Sequence, residues 1–425
     1  MVKREKSDRT IYLSDCQSFY ASVEKASHPG LENLPVVVAG DPARRSGIIL
    51  AACPIAKSFG ISTAQRLGEA LQLCPDAIVM RPHMQRYIDV SLAITDIYKE
   101  YTDLVEVFSI DEQFLDVTGS LNHFRCTPEE LAVMIQKKVA ASMNIRVRVG
   151  IGPTKILAKQ ATDNFAKKNA SGIFTLGKED VEKVLWPLSV DKMYGVGSRM
   201  TRHFVALGMT TIGHVARTPL AVLKRKFRAR FGKQSDIQAE VMWRTANGLD
   251  DSPVTPGTFN VAPKSIGHGM TLPRDYTTAE EVDIVLLELT EEVCRDARAK
   301  GYSSGTVHVF CMCSPYDAPT GFSQQRKMPF TTNNTLKVFG SVREIFHRNW
   351  NGHPVRKVGV TLGSLEDEEI TQLDLFEDVT KLRKLDSVLD GIKDRFGNTA
   401  IIRASSLMKA GLAADRAGKI GGHYR

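Results

Sequence analysis

Three carboxylates carry the first hint of chemistry in this chain. Asp111 and Glu112 lie between Val105-Glu-Val-Phe108 and Gln113-Phe-Leu-Asp-Val117, arms whose Val and Phe content predicts a strand, a tight turn and a return strand. Adjacent carboxylates are poor strand-interior residues and good oxygen ligands for a hard divalent cation. Taken alone, an Asp-Glu pair at a hairpin tip is more often a solvated turn. Asp15 ends Ile11-Tyr-Leu-Ser, and the stretch from Cys16 to Glu24 has helical spacing of its apolar residues, so a strand delivers Asp15 to a strand–helix junction. Free backbone N–H groups at such a junction favour phosphate oxygens, although a plain helix cap is the commoner fate of a lone Asp there. Lys57 follows in a helix that starts at Pro54, and Pro153-Thr154 opens another that runs through Lys155, Lys159, Asp163, Lys167 and Lys168,. Gly150-Ile-Gly-Pro-Thr-Lys155 lacks the Gly-Lys-Ser/Thr ending of a P-loop, which disfavours an ATPase,.

The elements that must position these groups are those of a globular, multi-domain protein. A chain of 425 residues with 43% hydrophobic content corresponds to about three domains with ample core. Against 48 Asp+Glu stand 56 Lys+Arg, a net +8, a balance that suits a polyanionic partner without requiring one. Seven scattered cysteines (Cys16, Cys53, Cys74, Cys126, Cys294, Cys311 and Cys313) include no Cys-x-x-Cys pair, which argues against a disulfide framework or a zinc site and for a reducing compartment. The charged N-terminus and the lack of a long apolar run predict no membrane association and a cytoplasmic location.

Leu34–Ala39 and Ile48–Ala52 read as strands around a polar turn. Residues 84–102 read as a long amphipathic helix with Ile88, Leu92, Ala93 and Tyr98 along one side, followed by the central hairpin, a helix from Pro128 to Met143, and a strand from Ile145 to Gly152,. From 179 to 250 short helices alternate with glycine turns. There Met193-Tyr-Gly-Val-Gly-Ser-Arg-Met200 with Leu207-Gly208 has the look of a helix-hairpin-helix, whose backbone N–H groups can approach a DNA phosphate,. After the Pro-rich stretch Asp251–Gly257, the pattern from Lys264 to Leu362 is β-α-β-β-α-β, a ferredoxin-like order. Its strands carry Lys264, Arg274, Arg326, Lys327, Arg356 and Lys357, which could track a phosphate backbone or merely protect strand edges,. Gln372-Leu-Asp-Leu-Phe376 suits another protein's pocket. The residues beyond it read as a basic tail, partly helical and partly disordered.

Several of these segments together resemble the Y-family (translesion) DNA polymerases. The resemblance rests on Asp15 with Phe19-Tyr20-Ala21-Ser22-Val23-Glu24, Ser109-Ile-Asp-Glu112 with Leu115-Asp116, Val149-Gly-Ile-Gly152 with Leu157-Ala-Lys159, Gly195-Val-Gly197, and Lys264-Ser-Ile-Gly267, in that order. Phe19-Tyr20-Ala21-Ser22 and Ala56-Lys57 look closer to the bacterial UmuC-type than to the DinB-type branch. The resemblance implies an α+β right-hand polymerase: palm at 1–29 and 84–178, fingers at 30–83, a helical thumb with the helix-hairpin-helix at 179–250, a linker at 251–263, a βαββαβ little finger at 264–365, and a tail at 366–425 with a clamp-binding motif.

The resemblance further implies Asp15, Asp111 and Glu112 as catalytic metal ligands for two Mg²⁺ ions, with Mn²⁺ as a substitute, and the backbone carbonyl of Cys16 as a further metal contact. It assigns Ser18, Phe19, Lys57 and Lys167 to the triphosphate and Tyr20 to a steric gate against the 2′-hydroxyl. DNA contacts fall to Gly195, Gly197, Lys264, Arg274, Arg326 and Arg356, and sliding-clamp contacts to Gln372, Leu373, Leu375 and Phe376. Implied partners are primed and damaged DNA, dNTPs, the clamp, and UmuD-like and RecA-like accessory proteins under DNA-damage (SOS) control. Ala51 and Pro54 depart from the family's Thr and Tyr, which removes two triphosphate hydrogen bonds. The alternative reading is a catalytically weak DNA- and clamp-binding repair scaffold.

Overall fold

The computed structural model describes residues 9–40, 47–257, 262–314, 321–368, 379–420 and 423–424. The chain divides into two compact units, Met1–Asn260 and Val261–Arg425. The first unit runs through β1 (Ile11–Cys16), α1 (Phe19–Ser27), β2 (Val36–Ala39), β3 (Ile49–Ala52), α2 (Pro54–Ser58), α3 (Leu67–Leu73), β4 (Ile78–Met80) and α4 (Met84–Lys99). It continues through β5 (Val105–Val107), β6 (Glu112–Asp116), α5 (Ser120–Phe124), α6 (Pro128–Met143), β7 (Val147–Gly152), α7 (Lys155–Ala161) and β8 (Ile173–Thr175), then α8 (Ser198–Ala206), α9 (Ile212–Arg217), α10 (Leu220–Phe231) and α11 (Asp236–Ala246).

One sheet, in the order β5-β6-β1-β7-β8, places β1 at its centre. Every residue of β1 is buried, as expected of a strand covered on both faces. The hairpin over 105–117 forms as its composition predicts, with Val105 opposite Leu115 and Val107 opposite Gln113. A second sheet, β3-β2-β4, carries α2. Helix α4 differs from expectation in the face it buries: Tyr87, Ser91, Ile94, Thr95 and Tyr98 point inward, and Leu92 is 53% exposed. Polar contacts select that face, since Gln113 Nε2 donates to Thr95 Oγ1 at 2.8 Å and the Ser14 and Tyr98 hydroxyls are 2.7 Å apart. A count of apolar residues cannot see such contacts.

The helix opened by Thr154 is shorter than predicted. It is α-helical only to Ala161 and continues as a π-turn over Thr162–Ala166. Thr162 Oγ1 donates to the Leu13 carbonyl at 3.0 Å, tying this turn to β1. Gly150 has a packing role rather than a phosphate-loop role, because a Cβ there would lie 2.3 Å from both the Ala158 carbonyl oxygen and Thr162 Oγ1. In the helical region Gly195 (φ +81°) and Gly208 (φ +77°) need the left-handed conformation,. Gly197 is the N-cap of α8 with φ −87°. The turn before the hairpin, Val190–Lys192, is a single 3₁₀ turn, so this helix-hairpin-helix lacks a full first α-helix.

The second unit runs through β9 (Ser265–Tyr276), α12 (Ala279–Ala299), β10 (Tyr302–Cys313), β11 (Gly321–Thr332), α13 (Thr335–Asn349), β12 (Val355–Asp367), α14 (Val379–Phe396), α15 (Ala413–Ala417), β13 (Lys419–Ile420) and β14 (His423–Tyr424). Its main sheet has the order β11-β10-β12-β9, with all neighbours antiparallel. Each helical crossover therefore links parallel strands separated by one strand, as a βαββαβ order allows. Strand β12 continues to Asp367, past the expected end of the domain. The tail also departs from its expected character over residues 379–420, which pack on α12. Arg298 grips Asp390 at 2.6 and 3.0 Å, Arg403 reaches Glu291 at 2.7 Å, and Tyr276 donates to the Ala410 carbonyl at 2.8 Å. Its attachment uses ion pairs rather than an apolar stripe, which is why the sequence reads as a solvated tail. Gln372–Phe376 lies outside the described residues.

Candidate active site

Antiparallel pairing sets Asp15 of β1 directly opposite Glu112 of β6, and Arg148 of β7 opposite Asp15 on the other side. The Cys16 N–H donates to the Asp111 carbonyl at 2.9 Å, which holds the turn against the end of β1. Ser109 shapes that turn: its hydroxyl donates to Asp111 Oδ1 at 2.6 Å and accepts the Glu112 N–H at 3.1 Å. Asp15 is 6% exposed. Two lysines answer the acids. Lys167 Nζ lies 2.7 Å from Asp15 and 2.8 Å from Asp163, and Lys159 Nζ lies 2.5 Å from Glu112 and 3.1 Å from Asp163.

Burial pushes the Asp15 carboxyl up to about 7, with Glu112 acting in the same direction and Lys167 opposing. Burial also acts to raise Glu112, but Asp15, Lys159 and Lys167 outweigh it and hold that carboxyl below the ordinary glutamate range. Lys167 is held above its ordinary value against its own burial by Asp15 and Asp163. Burial beside a second acid thus makes Asp15 resist ionisation although two lysines are at hand,. Oxygens of Asp15, Glu112 and Asp163 come within 4.8 Å of one another, an all-oxygen set that fits a hard cation such as Mg²⁺. Asp111 lies outside that cluster, with its carboxylate on Ser109, and lines the adjoining cavity.

That cavity, about 590 Å³, is lined by Asp15, Cys16, Ser18, Phe19, Tyr20, Lys57, Asp111 and Lys167, together with Gln17, Ala51, Pro54, Thr63 and Arg148. Ser18 caps α1 with φ +51°, a conformation that costs a non-glycine residue about 1–2 kcal/mol and gathers at functional sites. The first residues of α1, whose amides have no intrahelical acceptors, line the cavity with it. Lys57 Nζ donates to Ser18 Oγ at 2.9 Å, so a lysine and a helix start converge on one anion-sized space.

Three residues of this site receive no role from the sequence, although Lys159 and Asp163 stand in the helix named there. Lys159 and Asp163 join Lys167 on one face, and their i,i+4 spacing was the available signal. Arg148 Nη2 donates to Gln17 Oε1 at 3.2 Å, and its Nε is buried without a hydrogen-bond partner among the described residues. Only strand pairing brings it to Asp15. The expected DNA contacts of the second unit are differently placed. Arg326 sits opposite the core residue Val307 and pairs with Glu344 of α13, so it lies on the helix-covered face. Arg274 pairs with Glu281 at 2.5 Å and lies over the Tyr276 ring, and Arg356 is 3.7 Å from Asp275. Lys264 and Lys327 are exposed.

Acids at the adjoining ends of two central antiparallel strands, beside a cationic cavity with a helix start, are the makings of a polymerase-type palm. Residues 14–163 match the impB/mucB/samB family and residues 263–375 match that family's C-terminal domain. The chain is 54% identical to DNA polymerase IV 2 of Bacillus subtilis (strain 168) over 98% of its length and 99% of that protein's. It is 37% identical to the putative UV-damage repair protein UvrX of the same organism, over 98% of this chain and 97% of that one. A solved Y-family DNA polymerase chimera, Dbh-Dpo4(243-245)-Dbh, shares the fold with a TM-score of 0.67 at 24% identity, covering 84% of this chain and 99% of the chimera. The chain belongs to the impB/mucB/samB family of Y-family polymerases and is a DNA-directed DNA polymerase. The scaffold reading is left without support. Among the described residues, no helix is long and apolar enough to cross a membrane.

Proposed function

We propose that this polymerase carries out low-fidelity translesion synthesis, extending primers across damaged template bases by two-metal nucleotidyl transfer in DNA-damage tolerance. The observation that carries this reading is the cluster of buried Asp15 with half-buried Glu112 and Asp163 beside the cavity of Ser18, Lys57 and Tyr20. Asp15, Asp111, Glu112 and the Cys16 carbonyl would hold two Mg²⁺, or Mn²⁺ in their place. When bound, such ions activate the primer 3′-hydroxyl and stabilise the leaving pyrophosphate. Ser18, Phe19, Lys57 and Lys167 bind and orient the triphosphate, and Tyr20 stands against the sugar to refuse a 2′-hydroxyl. Gly195 and Gly197 approach the duplex backbone. Gln372, Leu373, Leu375 and Phe376 dock on a sliding clamp, and UmuD-like and RecA-like proteins act as accessories in the cytoplasm.

Primer extension with Mg²⁺ and four dNTPs, comparing wild type with Asp111→Asn, tests the assignment. Extension by wild type alone is expected; equal extension by the variant would move the metals elsewhere. An abasic or adducted template tests lesion bypass on the same gel. Deleting residues 372–376 is expected to keep distributive synthesis and abolish stimulation by clamp, and retained stimulation would refute that docking site.

A further inference from the structure

Behind the cavity the Tyr20 ring is stacked on the ring of Tyr87, with centroids 4.3 Å apart and planes 13° from parallel. Tyr20 is partly exposed, whereas Tyr87 is fully buried on α4. The Tyr87 hydroxyl donates to Glu24 Oε1 at 2.6 Å. Glu24 is itself fully buried, in the interior of α1. His83 Nδ1 lies 2.9 Å from the same oxygen, and Arg86 lies 3.7 Å from the other. Phe19 meets Tyr87 edge-on at 6.4 Å.

A buried carboxylate is a costly way to fill a helix position that an apolar side chain would fill without desolvation. What the carboxylate supplies here is a fixed acceptor that ties Tyr87 of α4 to α1, the helix that also bears Tyr20. A ring that excludes a substrate group by contact is only as selective as the wall behind it is stiff, since a yielding wall lets the wrong group in at little penalty. Tyr87 is that wall for Tyr20: one face of the Tyr20 ring rests on it and the residue lines the cavity.

We infer that Glu24 and Tyr87 are positioning residues for sugar selection: Glu24 anchors Tyr87, and Tyr87 fixes how far Tyr20 can retreat from the incoming nucleotide. The inference rests on the reading of Tyr20 as the residue that refuses the 2′-hydroxyl. Arg86 and His83, whose side chains are each 44% exposed, lie against the two carboxylate oxygens of buried Glu24 and complete the anchor.

The test is single-nucleotide incorporation with a dNTP and the matching rNTP for wild type, Tyr20→Ala, Tyr87→Leu, Tyr87→Phe and Glu24→Gln. Loss of the stacked ring in Tyr87→Leu is expected to lower the dNTP-over-rNTP ratio of kcat/KM by about tenfold. Loss of one anchoring hydrogen bond in Tyr87→Phe or Glu24→Gln is expected to lower it by about threefold to fivefold. In each case the change should come from better use of the rNTP, with kcat for the dNTP kept. Tyr87→Phe retains the ring and the packing, so it decides the matter if Tyr87→Leu does not fold. Unchanged discrimination in Tyr87→Phe, Tyr87→Leu and Glu24→Gln, with discrimination lost in Tyr20→Ala, would overturn the inference and leave the gate intact. An equal fall in dNTP and rNTP use would show a purely structural role and overturn it as well. Discrimination kept by Tyr20→Ala would instead remove the gate on which the inference rests.

Discussion

At the end of β1, Asp15, Glu112 and Asp163 crowd their oxygens within 4.8 Å of one another and are met by Lys159 and Lys167; along α12, Glu291 is gripped by Lys393 and Arg403, Glu292 by Arg416, and Arg298 by Asp390. The residue types are nearly the same. The outcomes part at Asp15, which burial and a neighbouring acid push up to about 7, whereas Glu112 beside it and Glu291 on α12 are both held below their ordinary range with two cations close by. Carboxylates whose charge is answered within the chain stabilise the fold. A carboxylate buried beside another acid, as Asp15 is, ionises more readily when an external cation joins it, and such perturbed acids gather at functional sites.

The largest expected effect is at the first cluster. Asp15→Asn should lower primer extension by about 10³-fold or more, the scale set by losing a principal electrostatic group from a transfer site. Its fold should not suffer. An acid whose folded value is raised from 3.8 to about 7 contributes stability only at low pH and loses it as pH rises through about 7. At pH 8 the neutral Asn therefore relieves strain, and the melting temperature measured in chelator should hold or rise. A fall of several degrees would break the contrast.

Glu291→Gln should do the reverse, leaving primer extension in place and costing about 2–3 kcal/mol of stability because Lys393 and Arg403 lose their counter-charge. Hydrogen exchange over residues 379–420 reads this directly. The same seam should respond to acid. Glu291 has a folded value below 4.5, so its contribution is present above that value and fades as pH falls through the lower one. Limited proteolysis below pH 4.5 should release the C-terminal segment more readily than at neutral pH. Smallest of all, Ala51→Thr with Pro54→Tyr should lower KM for nucleotide about threefold to tenfold by adding two hydrogen bonds at the cavity wall. An unchanged KM would count against a loosened triphosphate site.

The hairpin at 105–117, the strand ending on Asp15 and the βαββαβ order were all legible, because each is a local pattern of apolar spacing, turn residues and caps. The buried face of α4 was not, since Tyr87 and Thr95 face inward through polar contacts with other elements. Nor was the seat of residues 379–420, whose buried side is made of charges that look solvent-bound in one dimension.

By itself, then, the sequence determined on which strand ends and helix starts Asp15, Asp111, Glu112 and Lys57 stand. Tertiary structure decided who meets whom. Register alone sets Asp15 between Glu112 and Arg148, a π-turn seats Asp163 between two lysines, and helix packing puts Tyr87 behind Tyr20. The physical reason is that patterning and propensity act over a few neighbouring residues, whereas charge balance and ring contacts depend on partners dozens of residues away that only folding brings within reach.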